Sequence, residues 1–159
     1  MNVLRNLAAA AVFATIGGAV TAQCAIPPEA HSMRETVIAR TNLERSAAGR
    51  GALSLSSPLT QAAQNHACDM ASRGYFSHQG ADGSTLSTRV QAQGMRPCFA
   101  AENIARGQRS TTDVMTSWMH SQGHRKNILD RRAQEIGLGL AHATPGGEPV
   151  WVMVLGRRC

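Results

Sequence analysis

Two histidines and one glutamate stand in sequence contexts where a polar side chain can do chemistry. His78 lies in the glycine-containing loop YFSHQGADG, and His124 follows Gly123 in SQGHRKNIL. Glu102 is flanked by small apolar residues in FAAENIARG, so its carboxylate is expected to be partly buried and to need a partner. Two imidazoles and a carboxylate can ligate a divalent ion such as zinc, or form an acid–base pair with an orienting group. His78, Glu102 and His124 are therefore the candidate metal-ligating or catalytic residues.

Spacing alone does not join these residues into one site. His78 and His124 are 46 residues apart, and no H-E-x-x-H pattern places two ligands on one helix face. Unrelated polar residues are therefore the simpler interpretation at this point. No serine stands in a G-x-S-x-G nucleophile elbow, and no glycine-rich phosphate loop is present. His66 falls on the apolar stripe of a predicted helix and is expected to be a core histidine. The remaining histidines, which are expected at the surface, are His31, His120 and His142.

Hydrophobic periodicity and cap residues predict the elements that must position the candidates. The second predicted helix has Ser57 as its N-cap, Pro58 at its first position and Gly74 as its stop. Helices early and in the middle of the chain, followed by a terminal hairpin, predict an α+β fold. In chain order, the predictions are helices at 29–48 and 57–74, a loop at 75–83, a short helix at 84–93, an irregular or strand-like segment at 99–107, a helix at 110–121, a helical turn at 124–129, and strands at 135–143 and 149–156.

The first residues predict export. Arg5 precedes an apolar run from Leu7 to Val20, and small residues occupy the positions before a cleavage site at Gln23. The run is short and rich in alanine and glycine for a membrane anchor, which needs roughly 20 strongly apolar residues. We therefore expect residues 1–22 to be a cleaved signal peptide and residues 23–159 to form one domain. The expected location is the periplasm or the medium, with no transmembrane segment after cleavage.

Four cysteines follow the predicted signal peptide. An even number in an exported chain predicts two disulfides, although the sequence alone allows three connectivities. We expect Cys24–Cys159, which would join the chain ends, and Cys68–Cys98, which would join a helix to the segment before AENIA. A zinc–thiolate cluster is the alternative, but no C-x₂-C spacing is present.

The chain is basic, with a formal net charge of +6 that falls to +5 without residues 1–22, since these contain Arg5 and no acid. A solvated basic surface is the simplest interpretation, and attraction to an anionic envelope or lipid surface is the functional one. The basic residues are scattered along the sequence and few aromatic residues lie between them, so nucleic-acid binding is not expected.

Taken in order, five segments resemble the CAP superfamily of sperm-coating, antigen 5 and pathogenesis-related 1 proteins, in its small secreted bacterial branch (SCP-like domains). The resemblance covers about Met33 to Leu155. It implies an α–β–α sandwich in which a central antiparallel sheet lies between helical layers. The segments are AAQNHACDMASRGYFSHQGADGST, AENIARG, VMTSWMHSQGHRKNILD, EIGLGLA and VWVMVLG.

The resemblance also implies a cleft that holds two histidines and two acidic residues. His78 matches the first histidine, Glu102 the first acid and His124 the second histidine. The second acid falls three residues after Trp118, and that position is Ser121. Because a serine cannot supply the missing charge, Ser121 is expected to line a cleft suited to binding rather than to catalysis.

The leading hypothesis is a monomeric, exported binding module that takes a lipid-like or envelope ligand. In this hypothesis His78 and His124 ligate zinc or another divalent cation, and Glu102 orients a histidine or a bound water. A metal-assisted hydrolase, with zinc-bound water as the nucleophile and Glu102 as the general base, is the first alternative. A structural hydrogen-bond network with function on an outer surface is the second.

Overall fold

The computed structural model describes residues 24–159, which form five helices and four strands. The predicted α+β class is confirmed, and every helix predicted in this part of the chain is present. The helices are α1 (Ala30–Ala47), α2 (Ser57–Arg73), α3 (Leu86–Ala92), α4 (Thr111–His120) and α5 (Gln122–Ile128). The strands are β1 (Ser54–Leu55), β2 (Pro97–Arg106), β3 (Glu135–His142) and β4 (Pro149–Arg158).

The sheet has the strand order β1-β3-β4-β2. The predicted hairpin of β3 and β4 is antiparallel, and β2 adds to β4 in the antiparallel sense. The sequence did not predict β1, a two-residue strand that pairs in parallel with β3 and makes the sheet mixed. Strand β2 contains the segment FAAENIARG and forms one edge of the sheet, so Glu102 stands on an edge strand.

Helices cover both faces of the sheet, as the resemblance implied. Alternate residues of β4 point to opposite faces. Trp151 and Leu155 belong to a core shared with α1, α4 and α5, whereas Val152 and Val154 belong to a core shared with α2 and α3. Because β4 is buried on both faces, its sequence VWVMVLG is almost continuously apolar.

Local signals explain most of the element boundaries. Helix α2 has Pro58 in its first turn and ends at Gly74, which adopts a left-handed conformation with φ of 70°. Its N-cap is Ser56 rather than the predicted Ser57. Helix α3 begins later than predicted because Thr85 and Thr88 form a reciprocal capping box at its start.

Two glycines of β3 allow α2 to pack directly on the sheet backbone. A Cβ on Gly137 would lie 2.2 Å from the carbonyl carbon of Leu59, and one on Gly139 would lie 2.4 Å from the carbonyl oxygen of Ala63. Both contacts are with helix backbone, which cannot move aside as a side chain can. The spacing of these two glycines therefore determines how closely the α2–α3 layer approaches the sheet.

Arg45 of α1 is a buried arginine that anchors the chain immediately after α5. Its Nη1 atom donates to the carbonyl oxygens of Ile128 at 2.7 Å and Asp130 at 2.9 Å, and Nη2 donates to that of Ala133 at 3.2 Å. Burial lowers the pKa of Arg45, but charge-assisted hydrogen bonds compensate for the desolvation. Arg45 thereby fixes the C-terminal end of α5, the helix that contains His124.

Both disulfides form, but the predicted pairing was wrong. The bonds are Cys24–Cys68 and Cys98–Cys159, with Cα–Cα distances of 5.1 and 4.8 Å. The β2–β4 register pairs Pro97 with Arg158 and so brings Cys98 beside Cys159.

Cys24 and Cys159 lie too far apart for the predicted bond between them. Ala25 forms an isolated bridge with His142, and His142 pairs with Pro149 at the start of β4. Cys159 follows the far end of the same strand, roughly 30 Å away for ten residues at about 3.3 Å each. Cys24 therefore bonds to Cys68 of α2.

No helix within residues 24–159 is long and apolar enough to cross a membrane. The predicted signal peptide, residues 1–22, and its cleavage site at Gln23 lie outside the described residues.

We predict that Gly139→Ala destabilises the protein by about 1–3 kcal/mol or more, because the new methyl group meets the backbone of α2. Gly51→Ala is the matched control, since nothing lies within 4 Å of a Cβ at Gly51. Urea unfolding of both variants measures the difference. Equal free energies of unfolding would contradict the close approach of α2 to β3.

Candidate functional site

The candidate site is built around the buried carboxylate of Glu102. Glu102 pairs with Val154 across the β2–β4 ladder, and its side chain is only 3% exposed. Its neighbour two residues on, Ile104, belongs to the core of the α2–α3 layer. Since residues two apart in a strand share a face, Glu102 also faces this layer. The predicted burial of Glu102 is confirmed.

Both oxygens of this carboxylate have charged or polar partners. His78 Nδ1 lies 2.8 Å from Oε1, and Arg89 Nη2 donates to Oε2 at 2.8 Å. Since a carboxylate accepts, Nδ1 of His78 carries the hydrogen, and Nε2 is left as the acceptor of the neutral ring. A third residue, His66, has its Nε2 atom 3.9 Å from Oε1. The structure thus brings together His78 and Glu102, which spacing alone could not join.

Arg89 also holds the loop that carries His78. Its Nη1 atom donates to the carbonyl oxygens of His78 and Ser84, each at 3.1 Å. The Arg89 side chain is 10% exposed, so its contact with Glu102 is a largely buried ion pair. One guanidinium therefore joins α3, the histidine loop and strand β2.

The start of this loop is fixed to α2 and β2. Tyr75 donates its hydroxyl hydrogen to the carboxylate of Asp69, and the backbone N–H of Ala81 donates to the same carboxylate at 3.2 Å. Burial, and then the hydrogen bond to Asp69, raises the pKa of Tyr75 to about 12. Arg106 donates to the carbonyl oxygen of Tyr75 and lies over the ring of Phe76. The loop that presents His78 is therefore anchored at its base.

His66 is a buried histidine beside the carboxylate, and the prediction of a core residue is confirmed. It is 1% exposed, and its Nε2 atom donates to the carbonyl oxygen of Ser77 at 2.9 Å. Nδ1 has no hydrogen-bond partner within residues 24–159. Burial lowers the pKa of His66 although Glu102 opposes this shift. Burial therefore favours the neutral form of this imidazole.

His124 approaches from the opposite layer. Asn103 Nδ2 donates to the carbonyl oxygen of His124 at 3.1 Å, and Asn127 Nδ2 donates to the carbonyl oxygen of Glu102 at 3.3 Å. Burial, and then repulsion from His78, lowers the pKa of His124. Its Nδ1 atom is buried and makes no hydrogen bond to any residue in the described part of the chain. The two asparagines thus fix the backbone of α5 against β2 and place His124 beside the edge strand.

Ser121 lies at the boundary between α4 and α5. It is the C-cap of α4 and the N-cap of α5, with extended backbone angles that separate the two helices. Its side chain makes no capping hydrogen bond to α5. The role of Ser121 as a cleft-lining residue stays a prediction.

The side chains do not preassemble a closed metal site. Within residues 24–159, no group of three or more His, Cys, Asp or Glu side chains is arranged to hold a metal ion. These residues therefore do not form a four-ligand structural zinc site. Binding of a divalent ion by His78 and His124 stays a prediction. The hydrogen bond from His78 to Glu102 is of the kind that metal-binding histidines commonly make with a carboxylate.

A cavity of about 420 Å³ lies beside the candidate site, between α2 and α3. His66 and Arg89 line it, together with Asp69 and Asp82, whereas His78, Glu102 and His124 do not. The two candidate histidines therefore lie outside this cavity.

Sequence reasoning missed three residues that position the site, namely Arg89, Asn103 and Asn127. Arg89 had a usable signal, because a buried carboxylate requires a cationic or hydrogen-bonding partner. The sequence could not select Arg89 among the other arginines. The asparagines had no signal, since their roles depend on how α5 packs against β2.

We predict that Glu102→Gln destabilises the protein by about 3–5 kcal/mol, because it leaves the guanidinium of Arg89 buried without its counter-charge. Arg132→Gln is the control, since Arg132 forms its ion pair with Asp130 from a side chain that is 63% exposed, and its loss should destabilise the protein far less. Urea unfolding measures both. A Glu102→Gln variant as stable as Arg132→Gln would show that the buried pair does not support the fold.

We also predict that stability falls on acidification through pH 6.5, the ordinary pKa of histidine. Burial holds the pKa of His66 and His124 lower in the fold, so below pH 6.5 the unfolded chain binds more protons than the folded chain. Their contribution is fully present above this pH and is lost as the pH falls towards the folded pKa values. Urea unfolding across this pH range measures how the free energy of unfolding changes with pH. This change should be smaller in His124→Gln than in the wild type, whereas the exposed-residue control His120→Gln should leave it unaltered. An equal change in His124→Gln and the wild type would show that His124 does not contribute to the pH dependence.

Comparison with known proteins identifies the family of the chain. The sequence model of the cysteine-rich secretory protein family, CAP, matches residues 38–155. YkwD, an uncharacterized protein of Bacillus subtilis, is 34% identical over 113 residues, which are 71% of this chain and 44% of YkwD. YlbC, an uncharacterized membrane protein of the same organism, is 30% identical over 100 residues, 63% of this chain and 29% of YlbC. The chain thus spans less than half the length of either relative.

Solved structures share the fold at lower identity. An extracellular protein containing an SCP domain from Bacillus anthracis aligns with a TM-score of 0.74 at 24% identity, over 84% of this chain and 45% of that one. An outer surface protein of Borrelia burgdorferi also reaches 0.74, at 17% identity over 87% of this chain and 100% of that one. A cysteine-rich secretory protein of Staphylococcus aureus aligns with a TM-score of 0.69 at 20% identity, over 83% of this chain and 40% of that one. With the family match over residues 38–155, the ordered motifs and the sandwich of helices on both faces of the sheet, the chain belongs to the CAP family of cysteine-rich secretory proteins.

Proposed function

We propose that this protein is an exported CAP-domain binding module whose site is the surface formed by His78, Glu102 and His124 beside strand β2. The observation that carries the proposal is the 2.8 Å hydrogen bond between His78 Nδ1 and Glu102 Oε1. This contact sets the orientation and the tautomer of an imidazole that is otherwise open to solvent.

His78 is arranged as a ligand rather than as a packing residue. Its side chain is 61% exposed, while the Glu102 carboxylate that orients it is 3% exposed. With the hydrogen on Nδ1, Nε2 offers its lone pair to a donor or to a divalent cation. The ion pair with Arg89 compensates the carboxylate, so His78 is held by a rigid partner.

His124 supplies the second imidazole. Its lowered pKa favours the neutral ring, which is the form that binds a cation. In this proposal zinc or another divalent ion binds through the two imidazoles and keeps its other positions for water or for a ligand. When bound, the ion would add a Lewis-acid site for a polar head group of a lipid-like or envelope ligand.

The paired cysteines support export, because structural disulfides persist in oxidising compartments such as the periplasm or the medium. Four of four cysteines are bonded within residues 24–159. A lipid-like or envelope ligand is therefore the class that we propose for a protein in that location.

The burial of Glu102 argues against the metal-assisted hydrolase. A general base must be within reach of the attacking water. The Glu102 side chain is only 3% exposed, and its two oxygens accept from Arg89 and His78. The same contacts favour the structural network as the second candidate function, because Arg89 joins Glu102 to the backbone of the histidine loop.

Isothermal titration of the untagged protein with zinc tests the proposal. We predict measurable binding by the wild type and its loss in His78→Ala and in His124→Ala. Glu102→Gln should weaken binding about 10–100-fold, since outer partners of metal ligands commonly contribute this much. His31→Ala is the matched control, because His31 is an exposed imidazole that pairs only with Glu35, on helix α1.

Equal, weak binding by the wild type, His78→Ala and His124→Ala would overturn the metal site. If the melting temperature were also insensitive to a chelator while Glu102→Gln still lowered it, the structural network would be the function of these residues. Loss of zinc binding in His31→Ala alone would assign the ion to the protein surface.

A further inference from the structure

We propose that one end of the molecule is a docking surface for a membrane rich in anionic phospholipid. This basic end consists of seven residues that the fold gathers from three separate parts of the sequence. They are Arg96, Arg125, Lys126, Arg131, Arg132, Arg157 and Arg158. The proposal concerns a different surface from the His78–Glu102–His124 site and does not depend on its function.

The net charge of residues 24–159 is concentrated at this end. These residues carry 15 basic and 10 acidic side chains, a net charge of +5. The basic end holds seven of the basic side chains, and only two acids, Asp130 and Glu135, lie beside them. The remaining eight basic and eight acidic side chains balance each other. One of them, Arg50, also lies near this end, since its Nε atom donates to the carbonyl oxygen of Leu129 at 3.0 Å. The seven residues of the basic end are thus separated in the sequence and gathered by the fold.

The strand register brings the arginines at the ends of β2 and β4 together. Arg125 and Lys126 lie in the last turn of α5, directly before the bend that carries Arg131 and Arg132. Strand β2 begins beside the end of β4, with Pro97 opposite Arg158 and Phe99 opposite Arg157. Strand β3 begins at the same end, since Glu135 pairs with Gly156. The segment that leads into β3 crosses over β2, because the guanidinium of Arg132 lies 4.4 Å from the centre of the Phe99 ring.

Contacts within the protein preorganise the surface. The N–H of Cys159 donates to the carbonyl oxygen of Arg96 at 3.0 Å, and the Cys98–Cys159 disulfide closes the same corner. Arg45 holds the carbonyl oxygens of Ile128 and Asp130, which fixes the bend that carries Arg131. The surface therefore presents its charges with little loss of backbone entropy on binding.

Most of these charges are available for a partner. All except Arg157, which is half-buried, are exposed. Among residues 24–159, acids pair with only two of them, Asp130 with Arg132 and Glu135 with Arg158. Six of the seven are arginines, whose planar guanidinium binds phosphate with two parallel hydrogen bonds. The recognised chemistry is thus a dense array of phosphates.

A lipid surface fits this array better than a nucleic acid does. The basic end has a single aromatic ring, Phe99, and it is half-buried under Arg132. It therefore offers no set of stacking platforms for bases. A flat field of phosphates requires only exposed, closely spaced cations, each of which strengthens binding to anionic lipid roughly fivefold.

Sedimentation of the disulfide-bonded protein with vesicles tests this surface. We predict that the wild type binds vesicles of phosphatidylcholine mixed with phosphatidylglycerol, that salt weakens this binding, and that pure phosphatidylcholine vesicles bind far less. The variant Arg96→Gln/Arg131→Gln should lose at least about tenfold in partition coefficient. Neither side chain makes a hydrogen bond or an ion pair to residues 24–159, so the variant should keep the wild-type melting temperature.

The matched control is Arg40→Gln/Arg109→Gln, which removes the same charge from exposed residues outside the basic end. Its partition coefficient should stay within about twofold of the wild type. Equal losses in the two variants would show that net charge alone acts and would overturn the proposal. So would equal binding to pure phosphatidylcholine, or a preference for duplex DNA over the mixed vesicles at the same salt concentration. Complete competition by inorganic phosphate would likewise assign the arginines to a small anion.

Discussion

The buried carboxylate of Glu102 is the constraint on which the candidate site depends. A charge on a strand with helices packed over it is expensive unless it is paired. Three residues from the same layer lie against this carboxylate, namely Arg89, His78 and His66. Arg89 also binds the backbone of the histidine loop. The same guanidinium therefore both compensates the charge of Glu102 and positions His78. A disturbance at Glu102 is therefore transmitted directly to the exposed imidazole.

The position of Glu102 on an edge strand explains how two helical layers contribute to one site. The outer side of β2 would expose unpaired backbone groups, which proteins commonly cover. Here Asn127 donates to the carbonyl oxygen of Glu102, and the indole of Trp118 donates to that of Ile104 at 3.3 Å. The helices that cover this edge are α4 and α5, so His124 reaches the strand from one layer while His78 reaches it from the other. The site is the meeting point of the layers at an open edge.

The strand ends also determine where the basic residues of the molecule cluster. The ends of β2 and β4 and the start of β3 coincide, and the arginines beside them form one basic end. Helix α5 begins with the segment of His124 and continues with Arg125 and Lys126. The basic end and the candidate site therefore share helix α5.

The sequence by itself determined the α+β class, the helices and the terminal hairpin, and it singled out His78, Glu102 and His124 as candidates, because caps, periodicity and ordered motifs are local signals. It also showed that a buried Glu102 needs a partner. Only the tertiary structure selected Arg89 as that partner, since any arginine could have served. It likewise decided the cysteine pairing, which follows from the β2–β4 register, and the clustering of scattered basic residues at one end. These properties depend on which distant segments become neighbours, and no local pattern contains that information.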